Sequence, residues 1–409
     1  FMNEQNQQIP QQAQDQGQQV PQQGQQPQGQ MPQHGQQKID VSQIDDQELS
    51  VYITGLLRND IADKEQLDWT SRRVYDINAY YGVKPATDWP WKNAANFPVP
   101  LTRTLVDTAM ANIMGSIFFT PQDTVQVDGV GPEDRQTAKP LESFFNWLSF
   151  EEIETYKIWD KIVFRSLTSP AGIIKVMFSP LYKKVLIESI PSDDIFVPLD
   201  AKGFQVHQTD HVFQVVPMTE NDMQDRKRQG VFEDISEIQK GWSVRQGSLA
   251  QITTQARDIA AGTNMDQRQR RDLYYVMECY LTYYWKPKES NPDDPGVPVE
   301  LIVWMTPNGG KILRKKLNES GKRPFVEVIP YPREDRFWGE SLCEVIKPIQ
   351  EELDYTHNQY INAMDMAINT PLFFREGSTF DAENVKRVPG GAYGIPDTGD
   401  LKFQPLPVD

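Results

Sequence analysis

The sequence predicts an α+β fold, with helices and antiparallel strands in separate stretches of chain. Three observations predict it. Helix-period apolar spacing dominates from about residue 45 to 166. Strand texture then takes over at Gly172, and one long amphipathic helix follows near residue 340. Short turns rather than helical crossovers separate the strands, so an alternating βαβ order is not expected.

The bulk numbers bound the function classes. The chain has 409 residues, 38% of them hydrophobic, and a formal net charge of -16. That balance argues against a dedicated nucleic-acid-binding domain, which uses Lys and Arg to neutralise phosphates. It does not exclude holding DNA loosely. Two cysteines, Cys279 and Cys343, sit in apolar settings and offer neither a disulfide framework nor zinc spacing. A reducing assembly environment fits them. No run of about 18 apolar residues is present, so no membrane span is expected.

Residues 1–43 are Gln-rich with interspersed Pro and Gly, and are expected to be a disordered tail because they cannot bury enough apolar area to offset chain entropy. From Asp45 the apolar positions Leu49, Ile53, Leu56 and Leu57 mark a helix. A second is expected from about Asp63 to Tyr81. The segment "PATDWPWKNAANFPVPLTRT" is too proline-rich for a regular helix. A third helix opens near Leu101 and runs to Phe118, and a further helical stretch covers Pro140 to Ser166. "GIIKVMF" and "KKVLIESI" read as a hairpin turning at residues 179–182. "DIFVPL" and "HVFQVV" continue the strands. Residues 218–271 form a charged insert of helical texture. "LYYVMECYLTYYW", "VELIVWMT", "KILRKK" and "FVEVIPY" return to strand, with a two-residue turn expected at Asn308-Gly309. After the long helix, "PLFFREGS", "VKRVPGGAYGIP" and "LKFQPLPV" form a small β region.

The long helix is placed on Glu340 to Ile368 and would run on the order of 40 Å at about 1.5 Å per residue. Pro348 inside it predicts a kink. Leu342, Ile346, Ile349, Leu353, Tyr360, Met364 and Ile368 line one face, with His357 in the gap. Glu340, Glu344, Lys347, Glu351, Asp354, Asn358, Asn362 and Asp365 line the other. Average helices are nearer a dozen residues, and a long helix with one narrow apolar seam packs against copies or partners.

Chemistry is hard to find. His207 and His211 are four apart, but their context reads as strand and turn, which makes them polar rim residues rather than a metal pair. "TPNGGK" lacks the arrangement of a P-loop, and no GxGxxG, GxSxG or HExxH occurs. Adjacent Glu351 and Glu352 point in different directions on a helix and do not form an acid/base pair. The basic runs "DRKRQG", "DQRQRRD" and "GGKILRKK" read as solvated edges. No catalytic residue, cofactor or metal site is expected, and an enzyme reading has no support.

Four stretches in order carry a resemblance: "DWPWKNAANFPVPLTRTLVDTAMANIM", "GIIKVMFSPLYKKVLIESIPSDDIFVPLDA", "HVFQVVPMTENDMQDRKRQGVF" and "PYPREDRFWGESLCEVIKPIQEELDYTHNQYINAMDMAINTPLFF". Together they resemble a bacteriophage portal protein, closest in pattern to portals of short-tailed phages and their relatives. The resemblance covers roughly residues 45–409. It implies a wing at 44–335, a stem helix at 336–369 and part of a clip at 370–409. It implies a homo-oligomeric ring, a dodecamer, at the unique capsid vertex of the virion, assembled in the host cytoplasm. Double-stranded DNA would pass through that ring during packaging and ejection. Terminase, major capsid and scaffolding proteins, and head-completion or tail adaptor proteins are the implied partners, and no covalent chemistry is implied. The family pattern continues with a second stem helix, a tunnel loop and a crown, which this sequence does not hold before Asp409; a longer gene product is expected.

On that resemblance, Glu340, Glu344, Lys347, Glu351, Asp354, Asn358, Asn362 and Asp365 are expected to face a channel or a subunit seam, Glu344, Glu351 and Asp354 above all. Leu342, Ile346, Ile349, Leu353, Tyr360 and Met364 are expected to pack on a neighbour or on the second stem helix. The alternatives are another ring-forming head-tail adaptor, disfavoured by length, and a DNA-packaging enzyme, disfavoured by the missing nucleotide and metal motifs.

Overall fold

The computed structural model describes residues 41–87, 91, 94–119, 125–179, 183–199, 206, 209–236, 238–242, 256, 258–260, 273–286, 296–334, 336–368, 372–374 and 401–403. Residues 1–40 of the expected tail, His207, the run 266–272 and most of 370–409 therefore lie outside the described residues, while Val41–Gln43 form a 3-10 turn.

Helices come first. α1 (Asp46–Gln66) starts where the Asp45 side chain accepts the Gln47 N–H, and it buries Leu49, Ile53 and Leu57. Leu67 and Asp68 break the chain, with Asp68 in the left-handed region at φ 50°, so α2 is Trp69–Tyr81 rather than a helix from Asp63. α3 spans Leu101–Ile117. The stretch expected as one helix near 140–166 is two: α4 (Asp134–Trp147) and α5 (Thr155–Thr168). A π-helical turn at Leu148–Glu152 and a left-handed Glu154 separate them.

Every strand pairing among the described residues is antiparallel, in keeping with an α+β fold. β1 (Gly172–Ser179) pairs with β2 (Lys184–Ile190) and with β8 (Phe325–Val328). A five-stranded sheet runs in the order β3 (Ile195–Phe196), β4 (His211–Met218), β5 (Tyr274–Trp285), β6 (Val297–Met305), β7 (Ile312–Leu317). α6 (Glu220–Arg228) follows β4 and begins with a capping box between Thr219 and Asp222. The β6–β7 connection is longer than a two-residue turn. It closes through Thr306 N–H to Lys311 carbonyl, with Gly309 and Gly310 both at positive φ and a register shift beside it.

Ile173, Val212, Val276, Ile302, Phe325 and Phe337 share one core, joined by the edge-to-face pair Trp69–Trp338 at 4.7 Å. Burying such rings is the dominant favourable term. Lys175 of β1 is buried in it, and its charge is met by Glu278 at 2.5 Å and Gln214 at 2.7 Å. These contacts link the sheet of β1 to β4 and β5 of the other sheet.

β9 (Tyr331–Arg333) and β10 (Arg336–Glu340) form a ribbon that leads into the long helix, α7 (Leu342–Ile368). The helix begins two residues after the expected Glu340, because Glu340 still pairs with Tyr331 in the ribbon. Gly339 is required there, since any Cβ would collide with the Tyr331 carbonyl. α7 continues through Pro348, whose nitrogen has no proton to donate to the Glu344 carbonyl. Beyond it, β11 (Leu372–Phe374) pairs with β12 (Leu401–Phe403).

Candidate functional site

The start of α7 is locked by its own sequence. Ser341 accepts the Glu344 N–H at 3.0 Å, and Glu344 accepts the Ser341 N–H at 2.9 Å, which closes a capping box. The Ser341 hydroxyl also donates to Asp76 at 2.8 Å. Arg72 grips Glu344 through two nitrogens. Burial opposes the Glu344 charge, but Arg72 and the Ser341 N–H outweigh it and hold the carboxyl below its usual range. Asp76 is the opposite case. Burial dominates there, Glu344 adds repulsion, and Arg73 and Ser341 only partly compensate, so its carboxyl is pushed up to about 7. Arg73 bridges Asp76 (3.3 Å), Asp193 (3.2 Å) and the Thr168 carbonyl (2.5 Å), tying α2 to α5 and to the 3-10 turn Ser192–Asp194 before β3.

Further along, α7 carries a polar ladder at four-residue spacing, and residues 95–102 lie across it as a strap. Asn362 accepts the Ala95 N–H at 2.7 Å. Asn358 accepts the Phe97 N–H at 2.7 Å and donates to the Phe97 carbonyl at 2.9 Å. Asp354 accepts the Val99 N–H at 2.7 Å, and its other oxygen meets Lys84 at 3.0 Å. Gln350 accepts from the Thr102 N–H and hydroxyl, both at 2.9 Å, and donates to the Val99 carbonyl at 2.7 Å.

The match is geometric. Two extended residues advance about 6.6 Å. Four helical residues advance about 6.0 Å along the axis, or about 6.7 Å along a row of i, i+4 side chains inclined some 26° to it. An extended chain laid along that row therefore meets one rung at every second residue. The prolines keep the parity. Donors are needed at 95, 97 and 99; Pro98 falls between two of them and Pro100 follows the last, where no N–H is required. The rungs bind only main-chain atoms of 95–99, so they hold the strap without reading those side chains.

The single polar stripe expected from the sequence is thus divided. Asp354, Asn358 and Asn362 are buried beneath the chain's own strap, together with Gln350, which the stripe omitted. Glu344 belongs to the cap, and Glu340 pairs with Arg333 in the ribbon. Lys347 sits over the Tyr75 ring at 4.6 Å and 4.0 Å from Glu351, while Glu351 and Asp365 are exposed. The physical reason is the four-residue spacing, which winds around the helix instead of staying on one face. Two signals for this were present in the sequence: amide or carboxylate side chains at 350, 354, 358 and 362, and the Ser341-x-x-Glu344 cap.

The apolar seam divides too. Leu342 and Ile346 turn inward, Leu342 against the cluster of Val106, Met114 and Leu167. Ile349 (61% exposed), Tyr360 (63%) and Ile368 (73%) stand open, with Leu353 and Met364 beside them. Phe97 on the strap is also exposed. One side of α7 is therefore saturated by its own chain, and an adjacent side presents a row of large apolar groups. Such a row is an unusual surface for a chain on its own.

Elsewhere, His211 is a buried residue rather than a rim residue. It bonds Asp60 at 3.0 Å and stacks on Phe213 at 4.6 Å. Among the described residues no group of three or more His, Cys, Asp or Glu is placed to hold a metal ion, and no helix is long and apolar enough to cross a membrane.

The family described as Phage SU10 portal protein matches residues 179–409, more than half of the chain. The match includes α7 with its ladder, while the strap and α1–α5 precede it. No curated protein matches.

Proposed function

This chain belongs to the phage SU10 portal protein family, and from that premise we propose that its copies form a ring at the unique vertex of the capsid. The ring, a dodecamer, is the channel through which double-stranded DNA is packaged and ejected. Terminase docks on it during packaging, and head-completion or tail proteins dock afterwards. The role is mechanical and involves no covalent step.

The observation that carries this reading is the division of α7. Its ladder side is satisfied within the chain, while Ile349, Leu353, Tyr360, Met364 and Ile368 remain open. A heterologous contact, in which this row meets a different surface of the next copy, closes into a ring when the rotation permits. Glu351, Lys347 and Asp365 then lie at the channel or at the seam. The net charge of -16 suits a conduit, because a wall that repels phosphates does not grip the duplex it must pass.

Sedimentation velocity on the purified chain and on Leu353→Asp tests this. The account expects the parent to sediment as a large closed assembly and the variant as single chains with an unchanged thermal melt. A variant that assembles like the parent refutes the packing.

A further inference from the structure

A second open feature lies away from α7. Tyr52 of α1 and Tyr283, Tyr284 and Trp285 of β5 line a cavity of about 420 Å³, with Asp45 and Glu48 among its other walls. Tyr52 also borders a second cavity of about 790 Å³, lined by Asp60, Asp63, Asp210 and His211. The two spaces therefore meet at one ring, packed edge-to-face on Tyr283 at 5.7 Å. Asp45 at the cap of α1 and Glu48, Tyr52, Asn59 and Asp63 along it recur at helical spacing, so one face of that helix forms a continuous wall. From Asp45 to Asp63 this wall runs about 27 Å, the length of roughly eight extended residues.

We propose that this aromatic groove is the docking site for an extended segment of a partner protein bearing arginine or lysine side chains. The proposal stands on the groove alone and does not depend on ring formation. Charge selects the occupant. Five carboxylates line the two spaces against Lys286, Arg336 and His211; with the His211–Asp60 pair set aside, Asp45, Glu48, Asp63 and Asp210 stand against Lys286 and Arg336. The field reaches the rings: burial first and the Glu48 charge second raise the Tyr283 phenol, and burial followed by Asp210 raises that of Tyr52. A guanidinium or ammonium is attracted both to such carboxylates and to the faces of Tyr and Trp. A nucleic acid strand would stack on the same rings but would set its phosphates against the carboxylates. Tyr284 is 60% exposed and Tyr52 is 43% exposed, which leaves both rings open to a visitor.

The test is fluorescence anisotropy of a labelled hexa-arginine peptide titrated with the full chain at physiological salt. We expect saturable binding, one peptide per chain. Tyr284→Leu, which keeps the net charge, and Glu48→Gln should each weaken it about fivefold, the loss of roughly 1 kcal/mol expected for one cation–ring or ion contact. Glu133→Gln removes an equal charge at the start of α4 and should leave it unchanged. Absence of saturable binding overturns the proposal. So does equal binding by Tyr284→Leu, which would mean general adhesion to an acidic chain. Self-association of the chain that is lost in both Glu48→Gln and Arg228→Ala and blocked by the peptide also overturns it, because the groove would then hold the basic end of α6 from a second copy.

Discussion

Replacing Asn358 by Ala removes the central rung of the strap. Both of its bonds to the strap go with it, from the Phe97 N–H at 2.7 Å and to the Phe97 carbonyl at 2.9 Å, and so does its bond to the Asp354 carbonyl at 2.8 Å within the helix. Leaving a buried polar group unpaired costs about 1–3 kcal/mol. Phe97 is exposed on its outer side, so water reaches part of the gap, and the two losses together should cost about 2 kcal/mol rather than twice the upper figure. The neighbouring rungs, Asp354 on Val99 and Asn362 on Ala95, keep the strap in place, so the effect should be local opening rather than unfolding. Hydrogen exchange read by mass spectrometry on a peptide covering 94–101 measures it. About 2 kcal/mol corresponds to an exchange rate at Phe97 roughly thirtyfold faster, with peptides from β5 unchanged. Asn358→Asp keeps the acceptor for the Phe97 N–H but loses the donor, and should fall between. Wild-type exchange at Phe97 and Val99 as fast as in an open loop would refute the ladder. So would an Asn358→Ala variant with unaltered protection.

Parity gives a second prediction. Val99→Pro removes the N–H that Asp354 accepts and should cost about 1–3 kcal/mol in a denaturant melt, whereas Pro98→Ala, at a position that needs no donor, should stay within about 1 kcal/mol. The cap of α7 gives two pH dependences of opposite sign. The Glu344 carboxyl is held below its usual value, so its stabilisation is present above pH 4.5 and is lost as pH falls through its depressed folded value; the melting difference between the chain and Glu344→Gln should shrink on acidification. Asp76 is raised from 3.8 to about 7, so the stability linked to its protonated form is full below pH 3.8 and is lost as pH rises to about 7; relative to Asp76→Asn, the chain should weaken across that window and level off above it.

How much of this was readable depends on the kind of signal. Leu49, Ile53 and Leu57 recur at the helical period because one buried face demands it, and α1 follows directly. The antiparallel sheets were legible for the same reason. The break at Leu67–Asp68 was not, because Asp68 adopts the left-handed region without a glycine to announce it. The division of α7 was hidden more deeply. A helical wheel sorts residues into polar and apolar and assigns the polar ones to water or to a channel. Asp354, Asn358 and Asn362 are instead buried, because the strap supplies main-chain donors at matching intervals. That pairing spans more than 250 positions of sequence, and only the coincidence of four-residue amides with alternating prolines hints at it. His211 shows the same blindness on a smaller scale, since its partner Asp60 comes from α1, on a distant stretch of the chain.

Imaging the purified chain by negative stain tests the central claim most directly. Rings with a central hole are expected, closed through contacts of Ile349, Leu353 and Tyr360 of α7 between neighbours. Isolated single particles at micromolar concentration, with the open row of α7 left uncovered, would contradict it.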